Sequence, residues 1–174
     1  GGMVTTNNHE YAEAIASYRN HGTSATPSES TPWAMNEFDN LGYNLRLSDI
    51  QAAVGVAQLN KLETLITERK ARARYYTLAL SDENGIVLPT AGDIEGHTFQ
   101  SYVIRVREGG RARRNDIMLA LGSEGIQTRP GTHAVHRLGY YRTKYDIHAD
   151  QFPNASICED TTITLPIFPD MTES

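Results

Sequence analysis

Cysteine occurs once in this chain of 174 residues, at Cys158. A single cysteine closes no internal disulfide, and such usage fits a reducing cytoplasm. Long apolar runs are missing: no stretch approaches the roughly 20 residues that a membrane helix needs. Positive charge is not in excess. The formal net charge is -5, so no general basic field exists to hold nucleic acid, although arginines cluster locally over residues 105–114. Lysine is scarce, being confined to Lys61, Lys70 and Lys144. There is no Gly-x-Ser-x-Gly elbow, no Walker glycine-lysine loop and no Gly-x-Gly-x-x-Gly. Apolar residues make up 39% of the chain. That is a little low for a self-contained globule and suggests surface meant to be covered by something else. Both ends read as internal to a longer chain. Residues 1–6 are a short extended run, and Thr172 with Glu173 reads as a helix start with no helix after it.

The length suits one ordinary domain or two pieces of a larger one. Met3–Thr6 reads as the end of a strand. Asn7 or Asn8 caps a short helix with Tyr11, Ala14, Ile15 and Tyr18 at helical spacing, and Gly22 stops it. Residues 23–37 are rich in Ser, Thr, Pro and Glu and read as a loop. Ser48 followed by Gln51 fits a capping box. The helix it opens is expected to run unbroken to about Leu80 and to bridge two subdomains. Beyond the turn at 81–85 the period changes. Tyr102, Ile104 and Val106 alternate with less apolar positions, which marks a strand with one better-buried face. Arg111–Leu121 reads as a helix closed by Gly122. Gly125–Thr128 and Thr161–Leu165 read as further strands, the latter ended by Pro166. Strand, helix and strands together describe a small two-layer α/β sandwich.

Two polar clusters stand out. Asn44 and Arg46 lie two residues apart just before a helix N-terminus. A carboxamide offers two N–H donors and a guanidinium offers a planar fork, so the pair suits an anionic oxygen, aided by free amides and the helix dipole. In the other reading, Asn44 only shapes a turn and Arg46 pairs with Asp49. The second cluster is the loop holding Arg129, His133 and His136, followed by Tyr140 and Tyr141. Two histidines three apart are a weak zinc signal. With Pro130 and Gly131 in a flexible loop, contacts to a hydroxyl-rich ligand suit it better, against the alternative of an ordinary solvated loop.

Residues 41–59, LGYNLRLSDIQAAVGVAQL, closely resemble the DegT/StrS-type nucleotide-sugar aminotransferases, which use pyridoxal 5′-phosphate (PLP). Further blocks agree in order: residues 1–8, 19–22, 101–106, 125–129 and 164–169. The resemblance implies an α/β fold of PLP-aminotransferase type (fold type I). Residues 1–47 would close the large PLP-binding domain, 48–80 would form a long connecting helix, and 81–174 would form a small C-terminal α/β domain.

It also implies a homodimer with shared active sites. Asn44 would reach the PLP phosphate of the partner subunit, with Arg46 the accompanying arginine. Arg129, His133 and His136 would lie near the sugar. The implied reaction moves an amino group, with glutamate as the expected donor, to a keto-sugar nucleotide. The family's cofactor lysine corresponds to a position before Gly1, and none of the three lysines here has a setting suited to its chemistry. Residues 1–174 alone are therefore expected to be inactive. Two other readings stay open: a sugar dehydratase of the same fold, with histidine replacing that lysine, and a non-catalytic binding or assembly module.

Overall fold

The computed structural model describes residues 2–25, 33, 35–90, 96–148 and 150–172. Most of the expected 23–37 loop and the helix start at Glu173 lie outside the described residues. The chain divides into two compact units, Gly1–Lys61 and Leu62–Ser174.

In the first unit, helix α1 spans His9–Tyr18. The Asn8 side chain accepts from the Tyr11 amide at 3.3 Å, which satisfies one donor of the first turn. The helix ends as His21 and Gly22 both turn to positive φ, 61° and 80°, and the Gly22 amide donates back to the Ser17 carbonyl at 2.9 Å. Strand β1 (Thr23–Ala25) pairs antiparallel with β2 (Glu37–Phe38). Residues 3–6 form no strand.

Helix α2 spans Asp49–Leu59 and carries the expected capping box: Ser48 Oγ accepts from the Gln51 amide at 3.3 Å, and Gln51 Oε1 accepts from the Ser48 amide at 3.2 Å. No apolar side chain of this unit is buried among the described residues.

The expectation of one helix over 48–80 is corrected by the structure. Helix α2 ends with the Asn60 amide still on the Val56 carbonyl at 3.2 Å, and a separate helix, α3, spans Leu62–Ala79. The Lys61 amide turns to the Gln58 carbonyl at 3.0 Å, a tighter i to i−3 bond.

The second unit is a four-stranded antiparallel sheet covered by helices. Its strands are β3 (Ile86–Val87), β4 (Tyr102–Val106), β5 (Arg129–Pro130) and β6 (Thr162–Leu165), in the order β3-β4-β6-β5. The helices are α3, α4 (Gly110–Ser123), α5 (Gly139–Tyr145) and α6 (Pro153–Thr161), with a single 3₁₀ turn at Val135–Arg137. Tyr102, Ile104 and Val106 are buried as their alternation predicts, and they form the core with Ala73, Phe99, Ile163 and Leu165. Tyr76 from α3 and Ile117, Met118 and Leu121 from α4 pack against them.

Two boundaries differ from the sequence reading. Gly122 lies inside α4; the helix stops when Gly125 adopts φ of 80° and the Ile126 amide donates to the Leu121 carbonyl at 2.9 Å. That helix stop uses residues 125 and 126, so the strand expected at 125–128 appears instead at Arg129–Pro130. Among the described residues no helix is long and apolar enough to cross a membrane.

Candidate functional site

The first cluster is built on a close approach of two backbone segments. A side chain at Gly42 would collide with the backbone of His21 and Gly22, and one at Gly22 with the Asn40 carbonyl. Only glycine permits that contact. With the segments this close, four backbone bonds join them: His21 to the Tyr43 carbonyl at 2.9 Å, Tyr43 to the Tyr18 carbonyl at 2.8 Å, Leu45 to the Arg19 carbonyl at 2.9 Å, and Asn40 to the Gly22 carbonyl at 3.4 Å. Asn20 and Asn44 face each other as an antiparallel pair. The bonds flank this pair rather than join it, so both side chains stand on the same face of the ribbon. Arg46, two residues beyond Asn44, belongs to that face by the period of two.

The guanidinium of Arg46 donates to Asn20 Oδ1 at 2.9 Å and makes no ion pair with Asp49. Asn20 Nδ2 in turn donates to Thr23 Oγ1 at 3.3 Å, and that hydroxyl donates to the Asn20 carbonyl at 2.6 Å. Asn44 is exposed, and among the described residues its carboxamide makes no hydrogen bond. No acidic residue interrupts positions 40–48. Two N–H donors beside a cationic fork fit a phosphate ester. The first turn of α2 contributes less than expected, because Ser48 and Gln51 satisfy donors internally. The sequence reading missed Asn20, having taken 19–22 only as a helix stop.

The second cluster lies in the second unit, on the loop after β5. Arg129 is exposed on β5, opposite Thr164. Gly131 passes so close to Thr162 and Val103 that a side chain there would collide with both. His133 is exposed. His136 is placed differently: it is 7% exposed, its Nε2 lies 3.1 Å from Ser156 Oγ, and its ring lies 5.2 Å from that of Phe152. Arg137 grips α6, donating to Glu159 at 2.8 Å and to both oxygens of Asp160 at 2.7 and 3.1 Å. Arg111 of α4 joins the same carboxylate at 2.6 Å. The Arg137 and Arg111 guanidiniums hold the Asp160 carboxyl down at about 2. This bracing by Arg137 and Ser156 was not legible locally, since its partners lie about 20 residues apart. A groove of about 470 Å³ elsewhere in this unit, lined by Glu83, Arg107, Glu108 and Arg113, contains none of the expected site residues.

Comparison with known proteins identifies the family of the chain. Spore coat polysaccharide biosynthesis protein SpsC of Bacillus subtilis is 31% identical over 99% of the chain and 46% of its own length. The chain thus spans about half the length of the curated relatives it matches. Helicobacter pylori PseC, an aminotransferase involved in the biosynthesis of pseudoaminic acid, superposes with a TM-score of 0.82 at 21% identity, covering 97% of this chain and 43% of that one. A DegT DnrJ EryC1 StrS aminotransferase from Brucella abortus gives a TM-score of 0.78 at 25% identity, over 97% and 41%. The α/β fold is that of PLP-dependent aminotransferases. The family model matches residues 1–174 in full, and the chain belongs to the DegT/DnrJ/EryC1/StrS aminotransferase family.

Proposed function

We propose that residues 1–174 are part of an enzyme that moves an amino group from an amino acid, with glutamate as donor, to a keto-sugar nucleotide. Family membership supports the reaction class. The observation that carries the site is the ribbon face bearing Asn44 and Arg46. It presents an unengaged carboxamide and a guanidinium whose position is set by Asn20. In this reading Asn44 and Arg46 hold the phosphate of PLP, and the bound cofactor supplies an electron sink for the amino-group transfer. The Asn44 amide serves a neighbouring subunit in a homodimer. The exposure of Leu41, Tyr43, Leu45 and Ile50 around it, 85%, 64%, 66% and 80%, supports a covered surface there. Arg129 and His133 meet the sugar substrate from the loop after β5. His136, turned inward against Ser156, braces that loop.

The lysines bear on where the amino-group chemistry resides. Lys61 is exposed, Lys70 is half-buried and already engaged, and Lys144 is exposed and donates to the Tyr140 hydroxyl at 2.9 Å. None of the three is buried, whereas a lysine that carries imine chemistry sits in an enclosed, water-poor pocket. Residues 1–174 alone are accordingly proposed to be inactive. Borohydride treatment of this chain with PLP is expected to leave Lys61, Lys70 and Lys144 without a specific adduct. A stable, single-site adduct at one of them overturns that statement.

The site itself is tested by Asn44→Ala in the full enzyme. Loss of a hydrogen bond to a charged group is expected to weaken PLP binding by about 1–3 kcal/mol, roughly 5- to 150-fold. Equilibrium dialysis measures it, and unchanged cofactor retention defeats the assignment.

A further inference from the structure

We propose that Asn20 is a positioning residue for the anion-binding face, acting through Arg46 without touching the ligand itself. The proposal rests on the phosphate reading of Asn44 and Arg46. Arginine carries five N–H donors and a long side chain whose free rotation costs entropy whenever it must be held in one place. Here one donor, on Nη1, is anchored by Asn20 Oδ1 at 2.9 Å, across 26 positions of sequence. The anchor is itself fixed twice. The Asn20 amide donates to the Ser17 carbonyl at 3.0 Å at the end of α1. Its side-chain nitrogen is oriented by Thr23 Oγ1, and that hydroxyl is locked on the Asn20 carbonyl.

The orientation of the Asn20 carboxamide therefore follows from its neighbours. With Nδ2 directed to Thr23, Oδ1 is left to accept from Arg46. The pairing of Asn20 with Asn44 sets these groups on one ribbon face, so Asn20 lies beside Asn44 and diagonal to Arg46. The guanidinium keeps its remaining donors for an incoming anion, while the bond to Asn20 already restricts where it sits in the folded chain. Preorganisation of this kind raises affinity by removing an ordering cost on binding.

The test measures binding of PLP and of pyridoxal, which lacks the phosphate, to the full enzyme carrying Asn20→Ala, Arg46→Ala, both changes together, or Asn44→Ala. Asn20→Ala is expected to weaken PLP binding roughly 5- to 20-fold, less than the loss of a direct bond to the phosphate because the effect passes only through the placing of Arg46. Pyridoxal affinity is expected to stay within about twofold. In the Arg46→Ala background, Asn20→Ala is expected to add almost nothing, because its effect passes through that guanidinium.

Equal losses for PLP and pyridoxal, or fully additive losses in the double variant, overturn the proposal and assign Asn20 a purely structural part. Loss of PLP by Asn44→Ala with none from Asn20→Ala overturns it while the phosphate reading stands. Wild-type PLP affinity in both Asn44→Ala and Arg46→Ala removes the phosphate reading and this proposal with it.

Discussion

Tyr76 and Tyr102 pack ring against ring, centroids 5.1 Å apart and planes inclined at 35°, where α3 meets β4. Tyr76 donates to the Pro166 carbonyl at 2.9 Å, and the Tyr102 hydroxyl lies 2.9 Å from Thr77 Oγ1. Thr77 has one hydroxyl proton and donates it to the Ala73 carbonyl at 2.9 Å. Tyr102 is thereby the donor in its contact with Thr77.

Burial raises the pKa of both phenols above 10, and for Tyr76 the neighbouring Tyr102 adds to the shift. Each is easier to ionise in the unfolded chain than in the folded one. The stability they confer is present in full below pH 10 and is lost as pH rises beyond it. Urea unfolding of the second unit followed from pH 8 to 11 is expected to show this decline. Tyr76→Phe should flatten it, with a cost at neutral pH of about 1 kcal/mol for the Pro166 carbonyl left without its donor.

Asp160 contributes to the opposite limb. Its folded pKa of about 2 lies below the ordinary 3.8, so protonation favours the unfolded state. Its contribution is complete above about pH 4 and disappears as pH falls from there toward 2. The side chain is 27% exposed, so solvent screens part of the effect. Asp160→Asn is expected to destabilise the protein at neutral pH and to reduce its sensitivity between pH 4 and 2. Thermal unfolding across that range measures both, and an unchanged acid limb counts against the assignment.

Gly42 offers a steric test of the first unit. Gly42→Ala is expected to cost about 2–4 kcal/mol, because the new carbon meets backbone, which cannot rotate away. Gly55→Ala is the matched control: a carbon added there in α2 meets nothing beyond its own helix within 4 Å among the described residues, and alanine is favoured there by about 0.5–1 kcal/mol. Loss of stability for Gly42→Ala alone, seen by chemical denaturation, is the expected pattern. Equal effects at both positions contradict the close approach.

Much of the local structure was legible because its causes are local. The Ser48 and Gln51 pair marked the start of α2, since both capping bonds close within three residues. Alternation at Tyr102, Ile104 and Val106 marked a strand with one buried face. The helix break at Asn60 was not legible. The apolar pattern continues through it, and the interruption shows only in the backbone bonds. The strand expected at 125–128 was misplaced for a related reason. Gly125 reads as a turn or as a strand start, and the bond from Ile126 back to Leu121 decides between them.

The candidate site divides along the same line. Residue types and spacing brought Asn44 and Arg46 forward as a candidate anion-binding pair beside the reading of a simple turn, and the resemblance of the blocks around them favoured the former. Chemistry of that kind is written in side-chain donors and their order. Only the tertiary structure decided that Arg46 turns to Asn20 rather than Asp49, and that His136 faces inward while His133 stays exposed. Those outcomes depend on which distant backbones touch. Here the contact of Gly22 with the 40–42 segment and the packing of α6 beneath the 131–138 loop settle them.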